Sequence, residues 1–147
     1  MESYQKAYLY KRIVAAKLHM DKHFCEKLDL VKMAEAANFS KYHFFRLFKK
    51  IYGQTPLHYL TSKRIEESKK LLSGNLTIVE VAHRVGFDSP TSFSAVFKKY
   101  SHITPSHFKH TMTQEALQKS ANPFLFIPNC FAQSRGWLEN SNIKEPG

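Results

Sequence analysis

The chain has 147 residues, 43% of them hydrophobic, enough for one compact domain or two small subdomains with an apolar core and too apolar for a disordered polymer. Lysine and arginine number 22 against 12 acidic residues, a net charge of +10, and residues 1–110 carry the whole excess with 19 basic and 9 acidic side chains. The balance points to a polyanion partner, DNA being the commonest. No apolar run approaches bilayer length, which argues against a membrane span. Cys25 and Cys130 belong to no CxxC pair, which argues against a disulfide framework or a cysteine zinc site.

Behind the opening MESYQKAYLYKR there is no signal-peptide stretch, so a cytoplasmic location and no membrane partner are expected. Helical periodicity dominates from there. Leu9, Ile13, Ala16, Met20 and Phe24 recur at intervals of three or four, the inner stripe of a first helix. Asp29 is a candidate N-cap for a short second helix, LVKMAEAA, which NFS at 38–40 interrupts. A third helix is predicted over about 41–52, burying Phe44, Leu47, Phe48 and Ile51, with Gly53 as its left-handed stop. Thr55-Pro56 opens a fourth, to about Leu72, with Leu60, Ile65, Ser68 and Leu72 available for packing. Thr77 and Glu80 form a capping box for a fifth, through about Arg84. The turn GFDS leads to a sixth over roughly 90–100, with Phe93, Val96, Phe97 and Tyr100 inside. Thr104-Pro105 then opens a last short helix to about Lys109.

An internal repeat organises these elements. ANFSKYHFFRLFKKIYGQTP and VGFDSPTSFSAVFKKYSHITP superimpose, with Phe44/Phe93, Phe48/Phe97, Lys49/Lys98, Lys50/Lys99, Thr55/Thr104 and Pro56/Pro105 related by a shift of 49. Before the turn the shift is 48, as in Ala34/Ala82 and Phe39/Phe87, so the second copy carries one extra residue in its turn or at the start of the following helix. Six identities in thirteen positions from 44 to 56, with matched flanking turns, make two unrelated helix pairs the weaker explanation. Each copy reads as short helix, tight turn, longer helix: a helix-turn-helix written twice.

FSKYHFFRLFKKIYGQTP at 39–56 and TIVEVAHRVGFDSPTSFSAVFKKYSHITP at 77–105 resemble the AraC/XylS family of bacterial transcription activators, in particular its small members without a sensor domain. The likeness covers about 9–110. It implies an all-α, homeodomain-like module of seven helices at 4–110: subdomains at about 4–54 and 74–110, a connecting helix at about 56–72, and a neutral tail at 111–147, partly ordered or disordered. It further implies a sequence-specific regulator, an activator that recruits RNA polymerase. Such a module binds as a monomer to an asymmetric double-stranded DNA site, reading two adjacent major-groove segments.

A recognition helix sets one face on the core and the opposite face in the groove. On the third helix that outer face is Tyr42, Phe45, Arg46 and Lys49; on the sixth it is Thr91, Ser94, Ala95 and Lys98, with Pro90 at the start. The base-facing candidates are Tyr42, Phe45, Arg46, Pro90, Thr91, Ser94 and Ala95. The fork of Arg46 matches guanine O6 and N7, whereas Tyr42 and Phe45 can only pack on a thymine methyl, and Phe45 could equally pack on a neighbouring helix. Ser40, Lys41, Lys49, Ser89, Ser92 and Lys98 are the phosphate-facing candidates. Family members often carry long polar side chains where this chain has Thr91 and Ala95, and His102 replaces the usual glycine after the sixth helix, a conformation His adopts at some cost.

His19, His23 and Cys25, and likewise His107 and His110, lack a further ligand at suitable spacing and read as structural or solvated rather than metal-binding. No nucleotide-binding glycine loop, nucleophile motif or acidic dyad is present, nor the cysteine cluster of the repair domains that sometimes accompany this module. Neither an enzyme nor a cofactor is expected. The tail holds NPFLFIPNCF at 122–131, apolar enough for part of it to dock on the module, and no effector domain is expected in the remaining length. Two other readings stay open: an accessory interaction protein using that tail with weak or nonspecific DNA binding, and a nonspecific nucleoid binder.

Overall fold

The computed structural model describes residues 2–121. They form α1 (Glu2–His23), α2 (Leu30–Ala36), α3 (Lys41–Tyr52), α4 (Pro56–Leu72), α5 (Ile78–Arg84), α6 (Pro90–Ser101) and α7 (Pro105–Ala121), with no strand among them. Among the described residues, those up to Lys109 form one compact unit and those from His110 on are not part of it.

Six helix starts rest on one device. The side chains of Asp29, Ser40, Thr55, Thr77, Ser89 and Thr104 accept the backbone N–H three residues on, at 2.8–3.3 Å. At α5 the reciprocal bond from Thr77 N–H to Glu80 completes the capping box expected from the sequence. The stops are equally local. Gly53 (φ 70°) and His102 (φ 65°) both close their helices in the left-handed conformation, as the shift of 49 requires.

Two cores flank α4. The first joins Ile13, Ala16, Met20, Met33, Ala34, Ala37, Phe44, Phe48 and Leu60; the second joins Ile65, Leu72, Val81, Ala82, Val85, Phe93 and Phe97. α4 therefore supplies both, Leu60 near its start and Ile65 and Leu72 further on. Each fully buried Phe contributes about 1.5–3 kcal/mol, so the pairs Phe44–Phe48 and Phe93–Phe97, each 5.6 Å between ring centroids, anchor the two halves alike.

The duplication extends further back than the sequence reading placed it. Lys11-Arg12-Ile13 of α1 and Lys63-Arg64-Ile65 of α4 are identical at a shift of 52. The buried positions Ile13, Ala16 and Met20 have Ile65, Ser68 and Leu72 as counterparts. Each half is thus three helices, α1–α3 and α4–α6, and the connecting helix doubles as the first helix of the second half.

Three expectations are corrected. α7 does not end near Lys109 but continues to Ala121, because 106–121 contains no Gly or Pro and includes strong helix formers such as Glu115, Ala116 and Leu117. Phe24 lies past the end of α1 and packs against both cores. On α3 the buried stripe runs through Phe44, Phe48 and half-buried Tyr52, which stacks on Phe48 and Tyr59. Leu47 is accordingly half-buried and Ile51 is 36% exposed. The apolar segment 122–131 lies outside the described residues.

Candidate nucleic-acid interface

The two turns that precede α3 and α6 are built alike. Phe39 N–H and Phe87 N–H donate to Ala34 and Ala82 carbonyls, both at 3.0 Å. Asn38 (φ 55°) and Gly86 (φ 93°) make the left-handed step. Both pairs are related by 48, whereas the N-caps Ser40 and Ser89 are related by 49. The extra residue of the second copy is therefore Asp88, inserted between Phe87 and the cap.

An arginine braces the first turn. Arg12 Nε donates to the Ala37 carbonyl at 2.8 Å, its Nη2 donates to Asn38, and its guanidinium lies 4.0 Å from the centre of the Phe39 ring. Its counterpart Arg64 behaves differently. Nε donates to the Phe24 carbonyl at 2.7 Å and Nη2 to that of Glu26 at 2.8 Å, both in the loop between α1 and α2. Burial pulls the pKa of Arg64 below its ordinary value, but a guanidinium keeps its charge at neutral pH.

With the turns and inner faces fixed, the outer faces of α3 and α6 follow. Tyr42 is 70% exposed. Ser40, Lys41, Arg46 and Lys49 are exposed too, and Phe45 is half-buried. On the second copy Thr91, Ser92, Ala95 and Lys98 are exposed, while Ser89, Pro90 and Ser94 are half-buried. Arg46 makes no hydrogen bond or ion pair among the described residues. Ser40 and Ser89 spend an oxygen lone pair on capping, and Ser89 also donates to the Ser92 hydroxyl at 3.0 Å; Ser40 keeps its proton to donate.

The exposed faces also hold residues that the sequence reading did not select. His43, the counterpart of Ser92, is exposed and forms a T-shaped pair with Phe39, 4.9 Å between ring centroids. Lys50 and Lys99 lie exposed beside Lys49 and Lys98. The signal was available, since Lys50/Lys99 is one of the six repeat identities. Neither α3 nor α6 contains an acidic residue, so both faces present only neutral and positive groups. His19 and His23 stack at 4.3 Å, and His23 pairs with Glu26 at 2.6 Å. No cluster of three His, Cys, Asp or Glu with metal-site geometry occurs among the described residues, and no described helix is long and apolar enough to cross a membrane.

A helix-turn-helix domain family matches residues 33–111, more than half of the chain. Among curated proteins, the bifunctional transcriptional activator/DNA repair enzyme AdaA of Bacillus subtilis is 37% identical over 98 residues, 66% of this chain and 46% of that protein. The multiple antibiotic resistance protein MarA of Escherichia coli is 34% identical over 88 residues, 59% of this chain and 69% of that protein. Against the MmsAB operon regulatory protein of Pseudomonas aeruginosa the match spans only 32% of that protein. The solved C-terminal domain of AraT, a response regulator from Geobacillus stearothermophilus, superimposes with a TM-score of 0.66 at 35% identity, covering 68% of this chain and 84% of that one. The DNA-binding domain of AdpA, solved in complex with a target DNA, gives 0.65 at 25% identity, covering 76% and 96%. A doubled helix-turn-helix with these signatures and these relatives has one reading: the chain belongs to the AraC/XylS family of DNA-binding transcription regulators.

Proposed function

We propose that the chain binds double-stranded DNA sequence-specifically as a monomer, placing α3 and α6 in adjacent major-groove segments of an asymmetric site, and that it activates transcription by recruiting RNA polymerase. The observation that carries this is the duplication itself: two turns built alike deliver two helices whose outer faces are exposed and free of acidic residues. The activator role rests on the relatives named as transcriptional activators, AdaA and the AarP protein of Providencia stuartii. On α3, Arg46 reads guanine, and Tyr42 and Phe45 pack on thymine methyls. On α6, Thr91, Ser94 and Ala95 offer less, so base reading is weighted towards the first half. Ser40, Lys41, Lys49, Ser92 and Lys98, joined by Lys50 and Lys99, contact phosphates, which position the protein without reading sequence.

Selection from a random DNA pool at physiological salt, followed by titration of single-base variants of the selected site, tests the proposal. A preferred site bound ~10³-fold or more over random DNA is expected. Arg46→Ala is expected to lose about 1–3 kcal/mol and to relax base preference in one half-site only. Failure to enrich any site would leave the accessory or nucleoid reading; a uniform loss with an unchanged base profile would make Arg46 a phosphate clamp.

A further inference from the structure

Arg12 and Arg64 occupy the same place in the two halves, yet their acceptors differ in kind. Arg12 bonds the carbonyls of its own turn, Ala37 and Asn38. The corresponding carbonyls in the second turn are those of Val85 and Gly86, and among the described residues Arg64 donates to neither, although its guanidinium lies 5.9 Å from the centre of the Phe87 ring. It reaches instead across the molecule to Phe24 and Glu26 of the first half. Around it two segments converge, the loop after α1 and the turn before α6. The Phe24 side chain packs against both cores. Gly86 approaches so closely that a Cβ there would sit 2.9 Å from the Cys25 carbonyl, 3.0 Å from that of Phe24 and 3.1 Å from Arg64 Cζ. Beside them Lys27 faces Asp88, the inserted residue, at 3.7 Å, an exposed pair that adds little by itself. α4 links the halves along one line, and a single line leaves rotation about it resisted only by side contacts. This joint supplies the second attachment, off the helix axis.

We infer that Arg64 is a positioning residue that sets the angular phase between α3 and α6, and through it the spacing of half-sites that the protein accepts. The inference rests on the two-motif reading above. One base pair inserted between half-sites turns the second groove by about 34° and shifts it along the axis, so a stiff joint rejects the insertion and a loose one tolerates it. Among the described residues the partners of Arg64 are Phe24, Glu26, Gly86 and Phe87, none of them on the proposed DNA faces, so its role is in the register of the two contacts, not in either contact.

The test uses the full chain and the site selected from the random pool, in versions with one base pair added to or removed from the spacer, and a version carrying one half-site. The unmodified protein is expected to prefer the selected spacing sharply. Arg64→Met is expected to lose about tenfold on that spacing, the scale of a charge-assisted hydrogen bond, to discriminate weakly between spacings, and to keep its affinity for the single half-site. Arg64→Lys, which retains the charge and one donor, should fall between. Arg12→Met, the repeat mate, should instead weaken the half-site read by α3 and keep the spacing preference. A readout without DNA accompanies these: spin labels at Glu35→Cys and His83→Cys, in a Cys25→Ser, Cys130→Ser background, should give one narrow distance that broadens with Arg64→Met and not with Arg12→Met. A variant that keeps both the spacing profile and the narrow distance overturns the inference. An unmodified protein indifferent to spacing overturns the two-motif reading, and the inference with it, whatever the spin labels show.

Discussion

His102 shows what a single side chain can cost a repeat. At φ 65° it holds the place that Gly53 holds at φ 70°, and an L-residue in the left-handed region costs roughly 1–2 kcal/mol that glycine avoids. His102→Gly is therefore expected to stabilise the protein by about 1 kcal/mol, a rise of a few degrees in melting temperature. No atom lies within 4 Å of a Cβ built on Gly53, so Gly53→His should cost a similar amount through backbone strain alone. Thermal unfolding of the two variants checks both. An unchanged melting point for His102→Gly would mean that the imidazole makes compensating contacts in solution.

At the scale of the element, α1 and α4 are fastened by a polar cluster. The Tyr59 hydroxyl donates to Asp21 at 2.5 Å, and Lys17 pairs with the same carboxylate at 2.8 Å. Burial, and then the hydrogen bond to Asp21, push the Tyr59 phenol to about 12. The unfolded chain ionises this group near 10.0, so the stability it contributes is whole below that pH and is lost as pH rises towards 12. Burial raises the Asp21 carboxyl, but the bonds from Lys17 and Tyr59 outweigh it and leave the group below 3.8. Its contribution is present above pH 3.8 and disappears on further acidification. Tyr59→Phe should lower stability at neutral pH by about 1 kcal/mol and flatten the decline above pH 10. Melting curves across pH decide it; a Phe variant with the same alkaline limb would place that decline elsewhere. The helix starts and stops were legible in the sequence because each depends on residues within one turn, such as Thr77 with Glu80 or Thr55 with Pro56. The candidate DNA faces were legible in outline for the same reason, since Phe44 and Phe48 fix which side of α3 is left outside. Phe24, Arg64 and Tyr59 were not, because their partners lie 38 or more residues away or in two cores at once. The end of α7 was missed for the opposite reason: nothing local stops a helix at Lys109.

For the whole molecule the charge is what reaches furthest. Counterions released from DNA make affinity fall with salt, by about 0.9 in log–log slope for each phosphate neutralised. Lys98→Ala should weaken binding to all sequences alike and reduce the slope by that amount. Lys70 faces Glu67 at 2.8 Å on the connecting helix, and Lys70→Ala should leave the slope unchanged. Titrations at several salt concentrations distinguish the two, and equal slopes for Lys98→Ala and the unmodified protein would take Lys98 off the phosphates.

The duplication has a consequence for dose. A regulator that carries only one such motif per chain must bring two chains together to read two half-sites, and its occupancy climbs steeply with concentration. Here α4 joins the two motifs covalently. Once α3 is seated, α6 meets its half-site at an effective concentration fixed by geometry, in the millimolar range or above for short tethers, however scarce the protein is. On the proposed reading, promoter occupancy then follows the amount of protein with a Hill coefficient of about 1, giving a graded output rather than a threshold.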